Sequence, residues 1–376
     1  MPPRILILSA SVGAGHLRAA EAVELALRQV APEATVRNLD VLTLTNAAFR
    51  RLYGKAYFDL IRRAPHLVGF LYDVMDRRPS RLAVRDRTRR LVQRMNLTRL
   101  KRLLTDDGWD AIVNTHFLPA EIIARLRRHG RLDTPHATVT TDFQTHRLWV
   151  HTPCERYFTA TPEGAINLAS WGIDAATIRV TGVPIHPAFA RVKTRAACAA
   201  RQGLASDRPI VLQLGGGLGL GPVAQIHASL LAIEQPIQLV AVAGRNEKAK
   251  RELEAVACPP RHRRAVLGFT DQMDELMAAA DLVVTKPGGL TVSECLARGC
   301  AMVVIDPIPG QETRNCDYLL ENGCATKAAS LATLRYKVEG LLAEPRRLAR
   351  MKRSARRIAR PGAAFDIARE VLTLIR

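Results

Sequence analysis

The stretch of this 376-residue chain with the most specific chemistry is Thr285–Glu294, TKPGGLTVSE, followed by PGQE at 309–312 and Asn315. The apolar run Leu282–Thr285 reads as a buried strand that ends in Lys286-Pro287-Gly288-Gly289, with a helix beginning near Thr291. A glycine turn that opens a helix offers free backbone N–H groups and the positive end of a dipole, a setting that suits a diphosphate. Glu294 falls one turn into that helix, where a carboxylate can accept both hydroxyls of a ribose. Gln311 and Glu312 follow the next strand and suit sugar hydroxyls. Taken singly, each has a plainer reading: Glu294 as a helix-start acid, and Gln311 and Glu312 as caps of the following helix. A second candidate lies at the opposite end of the chain. SASVGAGH (residues 9–16) places His16 just after a glycine turn, and imidazole titrates in the range useful to a general base. Its plainer reading is a histidine capping the first helix.

These residues need elements to hold them. RILILSASVGAGH at 4–16 is a strand-length apolar run, a glycine turn and a helix, and PIVLQLGGGLGLGP from Pro209 repeats that plan. Further strands are expected at 35–39, 111–114, 137–141 and 157–160 in the first half. In the second half they are expected at 238–243, 265–268, 282–285 and 301–305. Continuous apolar strands alternating with helices predict parallel sheets covered on both faces. The fold class is therefore α/β, with two Rossmann-like doubly wound domains facing each other across a cleft. The turn-rich segment 181–187 sets the boundary. An N-terminal acceptor-side domain is expected over 1–187 and a nucleotide-binding domain over 188–355. A basic C-terminal helix over 356–376 is expected to pack back towards the first domain. Neither glycine loop fits G-x-G-x-x-G, and no P-loop pattern occurs.

Charge is distributed unevenly. The net charge is +20, yet residues 47–105 hold 16 Lys+Arg against 4 Asp+Glu, and residues 341–376 hold 10 against 3. A basic excess favours nucleic acid, an anionic membrane or a phosphorylated substrate. No zinc-finger, RNP or KH signature is present. In the first basic segment Phe49, Leu52, Tyr53, Ala56, Tyr57, Leu60 and Ile61 form an apolar stripe flanked by Arg50, Arg51, Arg62 and Arg63. That pattern fits a helix packed on its domain with a solvated basic face, and it also fits an interfacial segment on anionic lipid. The seven scattered cysteines contain no C-x-x-C pair and read as free thiols. The N-terminus reads as a first strand, with neither a signal nor a plastid transit peptide.

In combination, TKPGGLTVSE, PGQE with Asn315, and SASVGAGH resemble the monogalactosyldiacylglycerol synthase and processive diacylglycerol glucosyltransferase family, a branch of the GT-B glycosyltransferases. TTDFQTHRLW (140–149), VTGVPIHPAF (180–189), LGGGLGLG (214–221) and LGFTDQMDELMAAADLVVTKPGG (267–289) extend the resemblance from residue 4 to about residue 325. The resemblance implies inverting, metal-independent transfer of a hexose from UDP-glucose or UDP-galactose to diacylglycerol. It implies no resident cofactor and no metal site, and no D-x-D motif is present. On the same grounds Gly288, Gly289, Leu290 and Thr291 would hold the diphosphate and Glu294 the ribose. Gln311, Glu312 and Asn315 would hold the sugar. Gly268 and Phe269 would contact the uracil, with Gly244, Arg245 and Asn246 beside the nucleotide. Lys286 or Arg245 would neutralise the leaving group, and His16 would be the base, assisted by Asp142. Phe49, Tyr53, Tyr57 and the four flanking arginines would form the acceptor and membrane side. The expected location is cytoplasmic, peripheral to the inner face of the cell membrane, without nucleic acid as partner. Val12 and Ala14 depart from the family's Gly-Gly-Gly-His loop, and the PGG form leans towards the bacterial glucosyltransferases. The alternative on the same fold is a UDP-sugar epimerase or hydrolase acting on a soluble substrate.

Overall fold

The computed structural model describes residues 1–45, 76, 98–205, 207–215 and 222–375. The residues expected on the acceptor side, Phe49, Arg50, Arg51, Tyr53, Tyr57, Arg62 and Arg63, lie outside the described residues, as do 216–221 of the second glycine loop. The chain forms two compact units. One comprises Met1–Pro187, Ile308–Gln311 and Gly362–Arg376; the other comprises Ala188–Pro307 and Glu312–Pro361.

The first unit is built on six parallel strands: β1 (Arg4–Ser9), β2 (Thr35–Asp40), β3 (Ala111–Asn114), β4 (His136–Val139), β5 (Arg156–Thr159) and β6 (Ile178–Val180). Their order is β2-β1-β3-β4-β5-β6. Ile5, Leu6, Ile7 and Leu8 are all fully buried because β1 is covered on both faces. Leu6 and Leu8 pack with Ile112, Leu118 and Ile123. Ile5 and Ile7 face the other way, onto Ala20, Val23, Ala26 and Leu27 of the helix Ala14–Val30. Ala364, Ile367, Ala368 and Val371 of the helix Ala363–Leu372 join that second cluster, so the end of the chain completes the core of the first unit. The more basic helix Pro345–Ile358 packs instead on the core of the second unit, through Met351.

The second unit repeats the plan with β7 (Ile210–Leu214), β8 (Gln238–Val242), β9 (Arg263–Leu267), β10 (Leu282–Thr285), β11 (Ala301–Ile305) and β12 (Ala325–Ala328). The order is β12-β11-β10-β7-β8-β9, all parallel. Each sheet therefore has one point where the winding direction reverses, between β1 and β3 in the first and between β7 and β10 in the second. Loops at the carboxyl ends of strands flanking such a point diverge and leave room for a ligand. Fold class and repeated architecture are as the apolar runs predict. Two strands were not anticipated, the edge strands β6 and β12. The strand expected over 137–141 ends at Val139, which leaves Thr140, Thr141 and Asp142 on the loop at its carboxyl end.

The C-terminal helix gives a stability test. Ile367 is fully buried in the first unit, so Ile367→Ala should lower unfolding free energy by about 2–5 kcal/mol in a denaturant titration. A loss near zero would mean that this helix contributes little to the core.

Candidate functional site

In the first unit, the chain leaves β1 through Gly13, whose φ of 98° lies in the region that favours glycine, and enters the helix Ala14–Val30 without a side-chain cap. His16 sits in the first turn. Its Nδ1 lies 2.9 Å from the backbone carbonyl of Thr115, at the carboxyl end of the neighbouring strand β3. A carbonyl only accepts, so Nδ1 carries the proton and the neutral ring keeps its lone pair on Nε2. The Thr141 hydroxyl is 3.2 Å from the same nitrogen, and the Thr115 hydroxyl donates back to the His16 carbonyl at 3.0 Å. His116 stands edge-on to His16 with ring centroids 4.6 Å apart, and Trp149 lies 6.1 Å away. His116 is itself fixed, because its Nδ1 accepts the Leu118 N–H and caps the helix Phe117–Arg128.

Burial pushes the His16 pKa down from 6.5 to about 4, partly offset by the Thr115 carbonyl. His16 is therefore neutral, in its proton-accepting form, at physiological pH. Asp142 is buried and follows Thr141 directly in the chain. The neighbours that His16 Nδ1 meets are the Thr115 carbonyl and the Thr141 hydroxyl. Sequence reasoning missed Thr115, His116 and the role of Trp149. The available signal was the Thr115-His116 pair at a strand's carboxyl end, beside the switch point that His16 occupies.

In the second unit, the helix Gly289–Arg298 starts two residues earlier than the sequence pattern predicts. Its N-cap is Gly288, which supplies no side-chain hydrogen bond. The first-turn N–H groups at Gly289, Leu290 and Thr291 thus lack the usual internal cap. Glu294 lies on this helix and is 3% exposed. Glu312 comes close: its Oε1 is 3.6 Å from where a Cβ on Gly288 would stand. Asn315 is fully buried, and its amide donates to the Pro287 carbonyl at 3.1 Å, so it braces the glycine turn from below. Gln311 opens the helix Gln311–Glu321 after Gly310, whose φ is 96°, and these two residues group with the first unit.

Lys286, at the end of β10, pairs with Asp306 at the end of β11, Nζ to Oδ2 2.7 Å. Asp306 has a φ of 51°, the one non-glycine positive φ among the described residues. The chain thus accepts local strain where a carboxylate holds the lysine beside the helix start. Sequence reasoning missed Asp306. On the other side of β7, Gly244 and Gly268 leave the adjacent strands β8 and β9. Arg245 lies over the Phe269 ring at 4.6 Å, and Phe269 is 62% exposed, leaving an aromatic platform open to solvent. The donor-side candidates from β8, β9, β10 and β11 therefore all lie at the carboxyl edge of one sheet. Among the described residues no group of three His, Cys, Asp or Glu side chains is arranged to hold a metal ion.

Comparison with known proteins follows this division. Residues 16–185 match the family model for monogalactosyldiacylglycerol (MGDG) synthase, and residues 217–364 match the glycosyltransferase family 28 C-terminal domain. A processive diacylglycerol beta-glucosyltransferase of Bacillus mycoides (strain KBAB4) is 29% identical over 380 residues, 98% of this chain and 93% of that protein. Along most of its length the chain thus resembles the monogalactosyldiacylglycerol synthase and processive diacylglycerol glucosyltransferase family. Its fold is GT-B in kind, two Rossmann-like α/β units, and it is shared with more distant structures. MurG of Acinetobacter baumannii aligns with a TM-score of 0.60 and 17% identity, over 99% of this chain and 100% of that one. The UDP-GlcNAc 2-epimerase of Neisseria meningitidis bound to UDP-GlcNAc aligns at 0.60 with 12% identity, over 99% of this chain and 100% of that one.

Burial of His16 has a consequence for stability. His16, His136, His151 and His227 all have pKa values lowered to about 4, with burial the largest cause. The unfolded chain takes up these protons near 6.5 and the folded chain only near 4. Stability is therefore fully present above 6.5 and is lost as pH falls towards 4. Denaturant titrations from pH 7.5 to 4.5 should show this decline. A flat profile would mean that these rings are solvated.

Proposed function

We propose that the chain is an inverting, metal-independent glycosyltransferase that moves a hexose from a UDP-sugar to the free hydroxyl of diacylglycerol, acting peripherally at a membrane surface. The observation that carries this reading is the order of the two family matches on the two sheets, each with its chemistry at the strands' carboxyl edge. The B. mycoides relative is named for diacylglycerol and glucose, and the Neisseria structure holds a UDP-sugar, which supports the donor and acceptor classes. Among the described residues no helix is long and apolar enough to cross a membrane.

In the proposed reaction His16 Nε2 accepts the proton of the lipid hydroxyl. The freed oxygen attacks the anomeric carbon from the side opposite UDP. The new C–O bond forms as the bond to the β-phosphate oxygen breaks, so the anomeric centre inverts. UDP leaves with the electron pair, and the proton on His16 passes to solvent. The first-turn N–H groups of Gly289, Leu290 and Thr291, the helix dipole and Lys286 stabilise the developing charge on the diphosphate. In this reading Glu294 accepts the ribose hydroxyls, Phe269 and Arg245 flank the base, and Gln311 with Glu312 orients the sugar. Asn315 supports the turn from beneath. Glucose is the favoured sugar on the name of the relative.

A second reading, epimerisation or hydrolysis of a UDP-sugar with a soluble substrate, has the likeness to the Neisseria epimerase in its favour. At 12% identity that is a likeness of fold, and the MGDG synthase match over residues 16–185 favours the lipid acceptor.

The purified protein should convert labelled UDP-glucose or UDP-galactose and diacylglycerol in anionic vesicles to labelled glycolipid. Turnover of the donor without lipid, with no glycolipid formed, would replace the proposal with the second reading. Within the assay, His16→Ala should cut kcat by about 10²–10⁴-fold while leaving UDP affinity intact. Glu294→Ala should weaken UDP binding by about 1–3 kcal/mol. Near-normal turnover of the His16 variant would move the base elsewhere.

A further inference from the structure

The helix Pro345–Ile358, PRRLARMKRSARRI, belongs to the second unit. Met351 and Ala355 are buried, and Leu348 packs against the same core. At 100° per residue these three mark one face of the helix. Arg346, Arg350, Arg353 and Arg357, spaced four, three and four residues apart, fall on the opposite face, and all four are exposed. With a rise of 1.5 Å per residue, the outer two stand about 16 Å apart along the axis. The neighbouring cations are occupied within the fold. Lys352 reaches Asp281 at 3.4 Å, Arg347 reaches Glu344 at 3.5 Å, and the Arg356 side chain lies over Gly299. Among the described residues none of the four striped arginines meets an acid.

The fold gains little from this stripe, since only Arg357 stands in the last turn, where the dipole end favours a cation. Like charges three and four residues apart weaken a helix, and a solvated face usually interleaves acids. Arg346 also stands in the first turn, where the positive dipole end disfavours a cation. What four guanidiniums on one line do well is meet a flat array of anions together. Residues 345–360 contain no Phe, Trp or Tyr, so the face lacks the stacking platform that single-stranded nucleic acid uses.

We propose that this arginine face of the donor-holding unit docks on the anionic headgroups of a lipid bilayer. The proposal rests on the reading that the acceptor is a membrane lipid, and it gives the second unit its own electrostatic contact, separate from residues 49–63. Such a contact would keep the donor site near the surface where acceptor enters and product leaves.

The test is sedimentation of the full chain, without UDP-sugar, on vesicles of phosphatidylglycerol with phosphatidylcholine, against phosphatidylcholine alone. Replacing Arg346, Arg350, Arg353 and Arg357 by Gln should lower the partition coefficient on the anionic vesicles by about 1,000-fold. Replacing the same four by Lys should hold it within a few-fold, and both variants should bind UDP as the parent does. An unchanged partition coefficient in the Gln variant would overturn the inference. So would an equal loss on neutral vesicles, or loss of duplex RNA binding with vesicle binding intact. If the Gln variant fails to bind UDP, the double variant R350E/R353E is read instead, with the same expectations. A parent protein that partitions through the stripe yet transfers no hexose would sink the proposed function and leave this inference standing.

Discussion

The structure of the second unit turns on an uncapped helix start. A helix leaves its first N–H groups without internal partners, and proteins usually supply a Ser, Thr, Asp or Asn side chain to satisfy one of them. Here the capping position is Gly288, which has no side chain to offer. β10 feeds this helix and lies at the reversal point of the sheet, where neighbouring loops diverge. The surrounding contacts serve to hold that start in place. Asn315 fixes the Pro287 carbonyl, Asp306 holds Lys286, and Glu312 closes over Gly288. The N–H groups left open here belong to the backbone, so their direction depends on how rigidly the turn is kept.

The first unit uses the same strand, glycine and helix plan for different chemistry. Gly13 also begins its helix without a side-chain cap, but the first turn carries His16. The ring is held by the Thr115 carbonyl from the adjacent strand and by an aromatic and histidine surround. This environment fixes which nitrogen bears the proton and keeps the ring neutral. Such a ring offers a lone pair without a charge and is unsuited to binding an anion. One supersecondary unit, used twice, thus presents a neutral imidazole in one place and uncapped backbone N–H groups in the other.

Much of this was legible in the sequence, for identifiable reasons. β1, β7, β10 and β11 read as strands because parallel central strands are buried on both faces and show as unbroken apolar runs. β6 and β12 were missed because each lies at a sheet edge. They carry Ile178-Arg179-Val180 and Ala325-Thr326-Lys327-Ala328, too short and too mixed to register. The donor-side motif was readable because Gly288, Glu294 and Glu312 sit within 25 residues of one another. The surround of His16 was not, because Thr115 and Trp149 lie about 100 and 130 residues away. The orienting contact is also made by a backbone carbonyl, which any residue could provide. The sugar-binding role of Asn315 was implied by the family resemblance, and its buried amide also donates to the Pro287 carbonyl, a contact that no sequence pattern announces. Asp306 carried no pattern of its own, since its role arises from a backbone angle and a neighbouring strand.

The central claim is that the diphosphate of a nucleotide sugar is held by the bare first turn of the helix Gly289–Arg298. The most direct measurement is a titration of UDP into isotopically labelled protein, following the backbone amide resonances in divalent-free buffer. The account predicts saturable shifts concentrated at Gly289, Leu290 and Thr291. Binding that leaves these three amides unmoved, or that appears only when a divalent ion is added, would contradict it.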